Sequence, residues 1–299
     1  MAAPRALQAV IDIGTNSVLM LLARRDEHGR VEIVDDLSRT SRLGQGVADS
    51  GVLAPEAIER TVAVLAEYRH IAEQHGATIV AVATEGLRMA ADPRSFLEPA
   101  QRTLGVAVRM ISGDEEAELS YRSVAVEHGP GPLYVLDIGG ASTELVVGDG
   151  RHIEQRRSHR IGSVRLTERF ITGDPPSQTA VEAVARAAAE AFATQPVPPH
   201  PELHGLAGTV TTAAAMLLEL TEYDRARVDG SRFPAAQVQR LRDRLATMTI
   251  AERMRSPVLP AGRADVIVAG VTVLVEALRH CGATTLVVRD RGLRYALVE

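Results

Sequence analysis

The sequence predicts an α/β protein built from two similar halves. Short apolar runs of strand length alternate with longer stretches of helical periodicity. A strand–turn–strand pattern occurs twice, at Asp12-Ile13-Gly14 and at Asp137-Ile138-Gly139. Between the copies, His128-Gly129-Pro130-Gly131-Pro132 cannot continue a helix and marks the best domain boundary. The expected division is residues 1–128 and 129–299, one hairpin in each. For this length, two domains of about 150 residues agree with ordinary domain sizes.

Composition narrows the function. The 299 residues are 45% hydrophobic, with 3% aromatics and no tryptophan, so the cores must rest on Val, Leu, Ile and Ala. A net charge of −5 gives no global field that would gather nucleic acid, so a polyanion would have to be held by local positive charge. The single cysteine, Cys281, rules out an intramolecular disulfide and reads as a small core residue. The N-terminal stretch lacks a signal-peptide core. The most apolar run, Val266 to Leu278, is too short to span a membrane. The expectation is a soluble cytoplasmic protein. The nine histidines show no metal-ligand spacing, and there is neither a Gly-x-Ser-x-Gly elbow nor a Walker lysine motif.

The hairpins carry the chemistry. In the second, an apolar run ends at Asp137, turns through Gly139-Gly140-Ala141, continues Ser142-Thr143-Glu144 and becomes apolar again. In the first, Asp12 precedes Gly14-Thr15-Asn16-Ser17 and another apolar run. Phosphate oxygens seek N–H and O–H donors, and a hard divalent cation seeks carboxylates beside them. Either hairpin alone is an ordinary Gly turn. The repeat suggests two similar domains whose hairpins face one another across a cleft.

In chain order, residues 7–13, 17–24 and 30–36 read as a three-stranded meander. Arg39 to Gly46 reads as a solvated loop or as a loop near phosphate. Pro55 opens a helix to about His75 with an apolar face at helical spacing. The strand 78–83 ends in Thr84-Glu85-Gly86-Leu87-Arg88, where ligands gather in alternating α/β folds. Arg88 is therefore a candidate bidentate phosphate clamp, or a surface arginine opening a helix. The strand 106–111 leads through Ser112-Gly113-Asp114-Glu115-Glu116-Ala117 into a helix. Ser112 and Glu115 have capping-box spacing, and Asp114 suits the positive helix end. Glu116 has no such local duty. It can accept a proton from water, or simply favour the helix start.

In the second half, 151–160 is a strand with Arg151, Arg156, Arg157 and Arg160, which fits a protected edge or a polyanion track. A helix begins near 161–168, and an Ala-rich helix covers 180–193. The strand 203–207 ends in Gly208-Thr209, a helix start that favours anions or a plain capped turn. Residues 219–233 read as a surface loop and 235–248 as a helix. Leu259 to Ile267 leads into the most apolar run of the chain, with Asp265 placed to cap a helix there. A strand at 284–288 and a short helix at 290–298 close the chain.

Taken together, Asp-x-Gly-Thr-Asn-Ser, Ile-Ser-Gly-Asp-Glu-Glu-Ala and Asp-Ile-Gly-Gly-x-Ser-Thr-Glu resemble the exopolyphosphatase / guanosine pentaphosphate phosphatase (Ppx/GppA) family, in its short two-domain form. The resemblance implies two actin-like (ribonuclease H-like) domains flanking a cleft. It implies that Thr15, Asn16, Ser17, Gly139, Gly140, Ala141, Ser142 and Thr143 form two phosphate loops. Arg88, Gly208, Thr209 and Arg263 would join them in binding substrate. Glu116, the glutamate directly before Ala117, would be the catalytic base. Asp137, Glu144 and Asp12 would hold Mg²⁺, with Mn²⁺ as a substitute. The chain departs from the family pattern at Gly86 and Ala141, where the family has Ala and Gly, and at Asp92, where Asn is common. If position 141 needs a positive φ, Ala is strained there by roughly 1 kcal/mol.

The implied reaction is release of terminal orthophosphate from inorganic polyphosphate by Mg-assisted attack of water. The alternatives are hydrolysis of guanosine pentaphosphate (pppGpp), a kinase-like nucleotide-binding module with an adenine pocket near Gly208, and a non-catalytic polyphosphate or alarmone sensor. No nucleic-acid or membrane partner is expected, and the family often forms homodimers.

Overall fold

The computed structural model describes residues 6–299, the side chains at 48 and 49 excepted. The first five residues, part of the stretch read for a signal peptide, lie outside it. The chain forms two compact units. One runs to Leu119 and includes Leu293–Glu299, and the other is Ser120–Gly292. The expected boundary at 128/129 lies beyond this crossover, because the helix Gly113–His128 carries the chain from the first unit into the second.

In the first unit, strands β1 (Gln8–Ile13), β2 (Ser17–Arg25), β3 (Val31–Thr40), β4 (Thr78–Ala83) and β5 (Val108–Met110) form one sheet. Their order is β3-β2-β1-β4-β5. The first three are an antiparallel meander, while β4 and β5 join in parallel. In the second unit, β6 (Leu133–Ile138), β7 (Thr143–Gly148), β8 (Ile153–His159), β9 (Glu202–Leu206), β10 (Arg232–Pro234) and β11 (Thr285–Val288) lie in the order β10-β11-β9-β6-β7-β8. Read from its meander edge, this sheet runs β8-β7-β6-β9-β11. That repeats the first sheet strand for strand, including the parallel and antiparallel senses, with β10 added at one edge. Each unit thus has the actin-like topology that the sequence implied.

The helices follow from spacing. Pro55 starts the helix Pro55–Gln74, which buries Ala57, Thr61, Leu65, Tyr68 and Ala72. The Ser177 hydroxyl caps Gln178–Ala193 by accepting the Ala180 N–H at 3.2 Å. The helix Ile267–His280 is apolar almost all round and buried through Leu278, at the centre of the second core. Cys281 follows it, buried and free, with its thiol pushed up to about 12 by burial. The arginine-bearing β8 is an edge strand.

Several local expectations are corrected. The helix Arg94–Leu104 went unrecognised, since Pro99 lies inside it and reads as a breaker; its face is Phe96, Ala100 and Leu104. Residues 219–233 are not one loop. Asp224 caps a turn of helix at Arg225–Val228, and β10 follows. The N-cap of the Ile267 helix is Val266 rather than Asp265. Ser112 does accept the Glu115 N–H at 3.1 Å, but the Glu115 carboxylate pairs with Arg109 rather than closing the box.

Candidate functional site

In the first unit, the turn between β1 and β2 is closed by the Gly14 N–H donating to the Ser17 carbonyl at 3.0 Å. The Gly44 N–H donates to the Thr15 carbonyl at 2.9 Å, and those of Ser41 and Arg42 to the Asn16 carbonyl at 3.1 and 2.9 Å. Carbonyl and following N–H point oppositely across a trans peptide, so the Asn16 N–H faces away from the 41–44 segment. Arg42 takes φ 55°, an uncommon conformation for a non-glycine residue. The Arg39–Gly46 stretch therefore holds the loop through its backbone, while the Arg39 side chain goes to Glu67 at 2.7 Å.

Thr15 is buried and also packs against the end of β4. A Cβ on Gly86 would lie 2.6 Å from Thr15 Oγ1 and 2.9 Å from its Cα. Two residues on, the Arg88 guanidinium donates to Glu85 Oε2 from Nε at 3.0 Å and from Nη2 at 2.7 Å. Nη1 donates to the Ile111 carbonyl, and Nη2 reaches Glu116 Oε2 at 3.4 Å. Both glutamates are buried. The first loop, Arg88 and Glu116 are thus brought together. The bidentate edge of Arg88, expected to face phosphate, is occupied by Glu85.

The second loop repeats the first. The Gly139 N–H donates to the Ser142 carbonyl at 3.0 Å. The N–H of Ser163 meets the Gly139 carbonyl at 3.0 Å, and those of Val164 and Arg165 meet the Gly140 carbonyl at 2.9 and 3.1 Å. The start of the helix Ser163–Phe170 thus binds the loop's carbonyls, which turns the N–H groups of Gly140 and Ala141 to the opposite side. Ala141 does not have a positive φ, so the methyl brings no left-handed strain. Ser142 is buried in this turn. The Thr143 hydroxyl, expected among the phosphate donors, donates to the Ile161 carbonyl.

At the end of β9, Ala207 adopts φ 67° and Gly208-Thr209 begin the following helix. Arg263 Nη1 donates to the Gly208 carbonyl at 3.0 Å and to Thr212 Oγ1 at 2.8 Å. A Cβ on Gly208 would sit 2.4 Å from Arg263 Nη2. A Cβ on Gly270 would lie 2.7 Å from Thr209 Oγ1 and 3.2 Å from Ser163 Cβ, so the second loop's supporting helix and Thr209 share one corner of this unit.

Asp137 and Glu144 face each other across the β6–β7 ladder. The Ser120 hydroxyl donates to Asp137 Oδ2 at 2.5 Å, and Ser158 to Glu144 Oε1 at 2.6 Å. Burial raises the Asp137 pKa, and the Ser120 hydrogen bond partly opposes this. Two facing carboxylates in a buried strand pair suit a divalent cation whose remaining ligands are substrate oxygens. Among the described residues no group of three or more His, Cys, Asp or Glu forms a ready-made metal cage. Asp12 belongs to the first unit, where the buried cation of Arg294 acts on it. Arg294 itself pairs with Asp36.

Sequence reasoning missed Glu85, Ser120, Ser158, Ser163 and Arg294. The i,i+3 spacing of Glu85 and Arg88 was the one available signal. Ser120 and Ser158 partner acids from other elements, and no local pattern announces them.

Comparisons with known proteins identify the family. The sequence profile of the Ppx/GppA phosphatase family matches residues 21–298, and the chain belongs to that family. The match starts within β2, just after the first loop. The chain is 38% identical over 287 residues to exopolyphosphatase 2 of Mycobacterium tuberculosis (strain CDC 1551 / Oshkosh), covering 91% of this chain and 90% of that protein. Among solved structures it resembles the Aquifex aeolicus Ppx/GppA family member, with TM-score 0.82 and 32% identity, covering 98% of this chain and 96% of the other. An exopolyphosphatase-like protein gives TM-score 0.88 and 33% identity, covering 98% and 97%.

Proposed function

We propose that this protein is an exopolyphosphatase, releasing orthophosphate from the end of inorganic polyphosphate. The observation that carries the reading is the junction of the first loop, Arg88 and Glu116. It supplies phosphate donors and a buried carboxylate within one unit. The 38% identical exopolyphosphatase supports the same substrate class.

In this mechanism each unit holds phosphate oxygens with its own loop: the first with the Asn16 N–H and the Thr15 and Ser17 hydroxyls, the second with the Gly140 and Ala141 N–H groups and the Ser142 hydroxyl. Gly208, Thr209 and Arg263 extend the second unit's own anion-binding corner. Arg88 orients Glu116 and offers its one remaining N–H, on Nη1, to the terminal phosphate. Glu116 takes the proton as the water oxygen bonds to the terminal phosphorus. The bridging oxygen leaves with its electron pair as the shortened chain. Asp137 and Glu144 would hold Mg²⁺ (or Mn²⁺), which would supply charge neutralisation for phosphate oxygens. Phosphoryl transfer needs mainly positioning and charge stabilisation, so this set of groups suffices. The reading expects a cytoplasmic enzyme, a homodimer as its assembly, and no nucleic-acid or membrane partner.

The test is phosphate release with Mg²⁺ from polyphosphates of several lengths, pppGpp and ATP. The expected result is highest kcat/KM on polyphosphate. Highest kcat/KM on pppGpp would replace the substrate, transfer from ATP to an acceptor would indicate a kinase, and binding without release would make the protein a sensor.

A further inference from the structure

The helix Ala207–Leu217 begins at the Gly208-Thr209 corner and ends, about 12 Å further on, at a cavity of about 300 Å³ within the same unit. The helix Ala235–Ala246 forms the facing wall. Met216, Leu217 and Leu241 make part of the lining apolar. Arg240 and Arg244 bring two guanidiniums to it, one turn apart on one helix, and Glu219 adds a carboxylate.

The fold gives these charges little to do. Both arginines are exposed, and among the described residues neither side chain makes a hydrogen bond or ion pair. Like charges at this spacing disfavour a helix. A cation in the last turn suits the helix dipole, but that accounts for Arg244 alone. Glu219 takes φ 51° just past the helix Ala207–Leu217, where its N–H meets the Met216 carbonyl at 3.2 Å and the Leu220 N–H meets the Ala215 carbonyl at 3.1 Å. Glycine is the usual residue at such a helix end. Here the position carries a carboxylate that pairs with neither arginine. Two guanidiniums less one carboxylate leave one positive charge beside an apolar floor.

An apolar lining with a few placed polar groups is the usual make-up of a small-molecule site. We propose that this cavity binds a small organic monoanion. Arg240 and Arg244 take its carboxylate, and an aliphatic or aromatic body lies against Met216, Leu217 and Leu241. The planar guanidinium fork matches a carboxylate in two-point contact. Glu219 opposes polyanions, so the phosphate chain is not the ligand here. Binding at this cavity does not depend on the reaction assigned to the phosphate loops.

The probe is 3-phenylpropionate, titrated against the full chain by ligand-observed NMR. A Kd of about 1 mM or tighter is expected. Its methyl ester, which lacks the charge, and acetate, which lacks the body, should each bind at least about tenfold more weakly. Arg240→Gln combined with Arg244→Gln should weaken the probe by at least about tenfold. Glu219→Gln should tighten it by about threefold, because one opposing charge is gone. Thermal melting checks the fold, and if the double variant does not fold, each single substitution and the ester comparison decide. Inorganic polyphosphate should not displace the probe. No saturable binding, undiminished binding in the folded double variant, or displacement by polyphosphate would each overturn the inference. Orthophosphate release on the same samples judges the exopolyphosphatase reading separately. A protein that binds the probe but releases no phosphate keeps this site and loses that reading, and the reverse result does the opposite.

Discussion

At position 86 there is no room for a methyl group. The family carries Ala here, but in this chain a Cβ would stand 2.6–3.1 Å from Thr15, including its backbone. Gly86→Ala should push the first loop off its seat on β4. Overpacking of this kind costs about 1–3 kcal/mol, so melting should fall by several degrees and kcat/KM by at least about tenfold. Steady-state kinetics with a thermal melt would check this, and a neutral result would show that Thr15 gives way freely. Position 141 is the opposite case. Ala141 needs no positive φ, so Ala141→Gly should bring no relief of strain and should lower stability by up to about 1 kcal/mol through the unfolded chain. A denaturant titration showing stabilisation would contradict that reading.

At the scale of elements, two features steady the sheets that carry the loops. The first is the return of Leu293–Glu299 to the first unit. Tyr295 and Val298 pack with Val10, Leu21 and Ala23, the Tyr295 hydroxyl donates to Asp36 Oδ2 at 2.8 Å, and Arg294 pairs with Asp36. Arg294→Ala would remove the cation paired with a partly buried carboxylate, and a loss of about 3 kcal/mol in a urea titration is expected. A loss below about 1 kcal/mol would mean that the apolar contacts alone fix the segment. The second is β9, which carries His204. Burial, then the Arg289 cation beside it, hold His204 down at about 4 in the folded protein. The unfolded chain takes up a proton there first, so stability from this residue is present above its ordinary value of 6.5 and is lost as pH falls toward about 4. The loss is up to about 3 kcal/mol. Urea titrations at neutral pH and near pH 4.5 should show it, and His204→Gln should flatten that part of the pH dependence.

At the scale of the whole molecule, the duplication was legible because each hairpin writes its turn locally. An apolar run, an aspartate, a glycine and a small polar turn stand in sequence order, and both turns close with the same glycine-to-serine bond at 3.0 Å. Glu116 stood out because its neighbours Asp114 and Glu115 had helix-end tasks and it did not. The missing features arise over distance or against local propensity. Arg294 finds Asp36 from the far end of the chain, Ser120 and Ser158 become partners of acids only after folding, and Pro99 disguised a helix. Arg88 shows the same limit. Its place at the end of β4 was readable, but its bidentate edge goes to Glu85.

The most direct measurement pairs turnover with binding for one substitution. Glu116→Gln removes the proton acceptor while leaving both loops intact. Orthophosphate release from polyphosphate should fall by at least about 100-fold, the ordinary size of a general-base contribution, with polyphosphate affinity within a few-fold of wild type. Wild-type release rates in that variant would contradict the account, and lost binding at wild-type fold would assign Glu116 to holding the substrate instead of activating water.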